Sequence, residues 1–199
     1  MIKNKHFPYV IIVLLILLIC SVGFSTRSIS KLEKENQLYK IILKADKDFS
    51  KVSIDSQWAD QYYDEASYDY EDGNYKSAES NSRLAREYFS KESQGYKTIK
   101  AELKATKIED NLIYIYVGLL DSIIEATNNV YEASEHFESA VRYYDIYYNT
   151  NVPYNDMSFE MGNSEIDAMN ENIGAHDNAV EKYNQYLEDF RVELENRLK

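Results

Sequence analysis

The sequence predicts an all-α protein: an N-terminal transmembrane or signal helix followed by a long antiparallel four-helix bundle. Three observations lead there. Residues 7–24 form one apolar run behind Lys3 and Lys5. Beyond it, apolar residues recur at alternating steps of three and four, the spacing of a packed helical seam. Two prolines and six glycines in 199 residues are too few for a β-rich or low-complexity chain. Residues 1–27 therefore read as a signal-anchor or signal peptide, and residues 28–199 as one extracytoplasmic helical domain with helices over about 29–71, 75–105, 107–148 and 163–198.

The apolar run, roughly 18 residues, is about as short as a spanning helix can be. A cleaved signal shares its basic front and apolar middle, and Gly23 with Ser25, or Ser21 with Gly23, stands at cleavage spacing. Length favours the anchor, as do Phe7 and Tyr9, which suit the membrane interface. The only cysteine, Cys20, follows the large Ile19, a poor fit for a lipidation site, and it leaves the domain without a disulfide. A single-pass protein of the cell membrane is expected, its domain outside the cytoplasm and its lipid contact made through residues 7–24. Secretion after signal cleavage is the alternative.

The first helix carries Leu38, Ile42, Ala45, Phe49, Val52, Ser56, Ala59, Tyr63, Ala66 and Tyr70 on one seam. Asp72, Gly73 and Asn74, which tolerate a left-handed backbone, end it. The second seam is Tyr75, Ala78, Ser82, Ala85, Phe89, Tyr96, Ile99 and Leu103. Thr106 followed by Glu109 reads as a capping box opening the third helix. That helix bears Leu112, Ile115, Leu119, Ile123, Ala126, Val130, Ala133, Phe137, Ala140, Tyr144 and Tyr147, with a second apolar row of Ile113, Tyr116, Leu120 and Ile124. The fourth carries Ile166, Met169, Ile173, His176, Val180, Tyr183, Leu187 and Phe190.

Folding about residues 72–73 sets Ala59 against Ala85 and Ala66 against Ala78. Folding about residue 155 sets Ala140 against Met169, Phe137 against Ile173, Ala133 against His176 and Ala126 against Tyr183. Large mostly meets small, as close packing requires. The second apolar row on the third helix needs more than one hairpin partner, which favours a compact bundle. Two coiled-coil hairpins end to end are the alternative, since residues 104–111 hold no Gly or Pro to force a turn. Gly73, Tyr75, Ala78 and Ala85, with Ala66 before them, resemble the middle of a tetratricopeptide repeat. The likeness spans about twenty residues in one copy, so it implies convergent hairpin packing and carries over no family function.

From Ser28 onward the chain has 19 basic and 34 acidic side chains, a balance that excludes nucleic acid as a partner. Segments 52–75 and 143–181 hold 15 acids and no Lys or Arg, together with ten of the nineteen tyrosines. In an up-and-down bundle both segments meet at the pole remote from the apolar run. The candidate partner-binding tip is therefore Tyr62, Asp64, Tyr68, Asp69, Asp72, Tyr143, Asp145, Tyr148 and Tyr154. The off-seam tyrosines among these are expected to be exposed, while Tyr63, Tyr70, Tyr75, Tyr144 and Tyr147 sit on seams as core. Lysines gather at the other pole (Lys31, Lys34, Lys40, Lys44, Lys100, Lys104 and Lys107, with Arg197 and Lys199), where anionic headgroups suit them.

Catalytic constellations are missing from the pattern. The residues three before His136 and His176 are Ala133 and Ile173, which breaks the Glu-x-x-His signature of di-iron bundles. His176 is expected to be a core histidine. An EF-hand loop around Gly73 would need carboxylates where Tyr68 and Tyr70 stand. No cofactor is expected, a divalent cation is left without a motif, and an enzyme is not anticipated. Binding of a protein or ligand through the acidic, Tyr-rich tip is the expected role. The alternatives are a structural spacer with no specific ligand and a sensor-type ectodomain.

Overall fold

The computed structural model describes the backbone of residues 7–150 and 155–198, and the side chains of residues 30–150 and 156–197. Four helices follow one another: α1 (Phe7–Glu71), α2 (Tyr75–Ala105), α3 (Asn111–Asn149) and α4 (Asn155–Leu198). There is no strand among the described residues. The side chains of the apolar run 7–24 lie outside the described residues, and so does the anchor or signal assigned to them. Among the described residues no helix is long and apolar enough to cross a membrane.

The chain divides into two units, residues 1–44 and 45–199. In the first, the helical backbone begins at Phe7 and Leu38 and Ile42 are buried. In the second, the remainder of α1 joins the other three helices. Ala59 packs with Ala85 and Phe89, while Ala66 and Ala78 share a cluster with Phe137 and Val141, covered by Tyr63, Tyr70, Ile166 and Met169. That second cluster draws on all four helices, so the unit is a closed bundle and the end-to-end arrangement does not apply.

Small residues set the spacing of α1 and α2. The four alanines are fully buried, and a Cβ on Gly95 would stand 2.5 Å from Val52 Cγ2. Cross-helix polar contacts fix the antiparallel order. Arg86 pairs with Glu135 at 3.1 Å, Ser93 donates to Asn128 at 2.7 Å, and Lys100 pairs with Asp121. From α3 to α4, His136 contacts Glu165 at 2.6 Å and Lys182 pairs with Glu125 at 3.0 Å. Tyr63 of α1 closes the ring on Met169 of α4.

Three expectations need correction. The capping box at Thr106 does not form: Thr106 caps the C-terminus of α2, its hydroxyl donating to the Leu103 carbonyl at 2.7 Å. Lys107 then takes φ 55°, a left-handed conformation that cannot continue a helix. The extended Asp110 is the true N-cap, accepting from Leu112 N at 2.9 Å, so α3 begins at Asn111 instead of 107. Second, α4 begins at Asn155 instead of 163, with Asp156 in its first turn, where a carboxylate meets the positive end of the helix. Third, the α3–α4 register is displaced by about one helical turn. Tyr144 lies on Gly162 and Asn163, and Tyr116 lies on Phe190. Apolar seams on helices repeat every turn, so they match nearly as well when slipped by one.

Candidate functional site

The tip is built on how α1 ends. Gly73 adopts φ +76°; its N–H donates to Tyr70 O at 3.0 Å and the Asn74 N–H to Asp69 O at 2.8 Å. These two bonds make a Schellman closure, in which a glycine supplies the left-handed residue. The reversal brings α2 back immediately. Asp69 then ties the helices together, accepting from Ser77 Oγ at 2.6 Å and from Asn81 Nδ2 at 2.9 Å.

Above this closure the aromatic rings form a continuous network. Tyr70 meets Tyr75, Phe137 and Tyr144 with centroids 5.6–6.0 Å apart. Tyr75 stacks parallel on Tyr148 at 5.7 Å and 9°, and Tyr147 contacts Phe159 at 5.0 Å. Rings from all four helices thus meet at one pole. Tyr144 is its buried centre, donating to Asn163 Oδ1 at 2.7 Å. Burial, then the neighbouring Tyr70, pushes its phenol up to about 12. Tyr75 is also raised, first by burial and then by Tyr148, Tyr70 and Asp145.

Two shallow depressions open on this pole. One, of about 620 Å³, brings the first hairpin turn (Gly73, Asn74, Lys76) together with the end of α3 (Asp145, Asn149) over Asp69. The other, about 660 Å³, runs down α1 and α2 between Asp64, Glu65, Tyr68 and Asn81. Asp69 and Ser77 line both.

Of the nine candidate residues, the structure gathers Asp64, Tyr68, Asp69, Asp72, Asp145 and Tyr148 at or beside these depressions. Tyr68 and Tyr148 are 67% and 58% exposed, as off-seam positions should be. Tyr62 does not belong there. It lies half-buried lower on α1, between Trp58 at 6.3 Å and Tyr88 at 5.6 Å, because neighbouring rings cover it. Tyr143 is half-buried too, and Tyr154 lies outside the described residues. The pole is also less purely acidic than the segment count implied, since Lys76, one residue past the counted boundary, lines the depression at the first hairpin turn.

His176 is likewise not a core residue: its side chain is about one-third exposed and contacts Asp177 at 3.1 Å. Two buried acids went unrecognised. Glu92 is buried between α1 and α2, bonded to Ser56 and Tyr96, and burial lifts its carboxyl to about 7. Glu138 is buried beside Arg86 and Arg142, both at 3.1 Å. Glu138 is off the third seam, whereas Glu92 was legible in the spacing, because it falls in the step between Phe89 and Tyr96 on the second seam. Reading only apolar residues along that seam passed over it. Compared with protein-family models, curated proteins and solved structures, the chain matches none.

Proposed function

We propose that this is a membrane-tethered, extracytoplasmic helical bundle that acts by binding a protein partner at its distal tip. One observation supports the reading above others. The two acidic, Tyr-rich stretches, far apart in sequence, are brought into one open surface in which carboxylates at Asp64, Asp69 and Asp145 stand beside the exposed rings of Tyr68 and Tyr148. Tyrosine offers large contact area at little cost in side-chain entropy, and carboxylates add selectivity for a cationic surface. The apolar run behind Lys3 and Lys5 supports the tether.

The test places a photo-reactive amino acid at Tyr68 or Tyr148 in cells that make the protein, with a control at Lys91. The reading predicts a discrete crosslinked species from the two tip positions that is absent at Lys91 and is lost with Asp64→Lys. Identical products from all three positions would leave the bundle as a spacer without a specific partner. Resistance of the protein to carbonate extraction tests the tether separately.

A further inference from the structure

The pole opposite the tip is the elbow of residues 106–110 that joins α2 to α3. Local bonds close it: Lys107 N donates to Lys104 O at 3.4 Å, and Ile108 N to Thr106 Oγ1 at 3.4 Å. At its apex Lys107 holds the left-handed backbone that glycine would take freely, so the chain bears a conformational cost to present a cation there. The elbow frames a groove of about 450 Å³ with Leu103, Ile108 and Val117 as apolar lining, Tyr114 62% exposed beside them, and Lys104 and Lys107 on the rim.

The charges around this groove are unevenly satisfied. Lys100 pairs with Asp121, and Arg197 neutralises Asp110 at 2.8 Å and Glu193 at 2.9 Å. Lys104 and Lys107 are exposed, and neither has an ion-pair partner among the described residues. Glu109 is the acid lining the groove. The result is a small surface with an apolar floor, a phenol at its edge and two open ammonium groups.

We propose that this elbow rests on an anionic bilayer surface, with Lys104 and Lys107 among the headgroups and Ile108 and Tyr114 at the interfacial depth. Each part matches what that environment selects. Lysine lays its hydrocarbon stem on apolar surface while its ammonium meets lipid phosphate, and tyrosine favours the boundary between headgroup and chain. The proposal rests on the tethered reading above.

The experiment uses the full chain with Cys20→Ser and a fluorophore on Asn111→Cys, reconstituted in phosphatidylcholine vesicles with or without phosphatidylserine and with brominated lipid as quencher. A label on Tyr68→Cys serves as control. Quenching at position 111 should appear with phosphatidylserine and stay absent at position 68. Lys104→Gln with Lys107→Gln should weaken the contact about twenty-five-fold, roughly fivefold for each lysine. Lys107→Gly should weaken it about fivefold while leaving the melting temperature equal or higher. If the chain floats with vesicles yet position 111 behaves like position 68 in both lipids, the elbow contact is refuted and the tether stands. If the chain does not float, both are refuted.

Discussion

Glu92 places a carboxyl group, 4% exposed, in the interface of α1 and α2. Desolvation dominates its environment; the hydrogen bonds to Ser56 and Tyr96 only partly compensate, and Asp60 and Asp55 on α1 add to the rise. The folded protein therefore holds this proton more tightly than the unfolded chain. Its contribution is fully present below pH 4.5 and is lost as the pH rises to about 7. The span corresponds to about 3 kcal/mol. Glu92→Gln is expected to be nearly neutral at pH 4 and stabilising by about 2 kcal/mol at pH 8. Urea unfolding followed through Trp58, the only tryptophan, measures it; equal effects at both pH values would contradict the assignment. At this scale the sequence was legible where one rule decides. Tyr68 and Tyr148 fall off the seams and are exposed. Tyr62 and Tyr143 fall off them too, but are half-buried, and for Tyr62 it is the rings of Trp58 and Tyr88 that do the covering, a fact no heptad contains.

At the scale of elements, glycines report which helix contacts are rigid. Gly95→Ala adds a methyl against Val52, whose branched side chain has little rotamer freedom in a helix. The expected cost is about 1–2 kcal/mol, the strain of overpacking less the gain in helix propensity. Gly174 has no neighbour within 4 Å of an added Cβ. Gly174→Ala should stabilise by up to about 1 kcal/mol. Thermal melts of the two variants should move in opposite directions; a shared direction would mean that α1 and α2 are not in close contact at Val52. The first hairpin was readable because Gly73 and the alanine pairs at 59/85 and 66/78 fix one register. The second was not. Its partners Tyr144, Met169 and Tyr183 are large and adaptable, so a slip of one turn keeps apolar residues facing, and the start of α4 at Asn155 carries no strong apolar periodicity. At the α2–α3 elbow, the capping-box pattern at Thr106 competed with Asp110, whose carboxylate had the better-placed N–H to accept.

For the whole molecule, the polarity of the bundle carries the functional proposal. Asp64, Glu65 and Asp69 of α1 and Asp145 of α3, drawn from two cation-free segments (52–75 and 143–181), meet at one pole only because the helices alternate in direction. The tip was thus visible in composition, but its shape came from the Schellman closure at Gly73 and from the parallel stack of Tyr75 on Tyr148. The most direct test is a distance between spin labels on Asn74→Cys and Asn149→Cys in a Cys20→Ser background, measured by pulsed electron paramagnetic resonance. Both positions line one depression, so the account predicts a narrow distribution near 20 Å or less, roughly two helix spacings. A distance of about 45 Å or more, the length of a rod such as the 31-residue α2, would put the two bends at separate poles and contradict it.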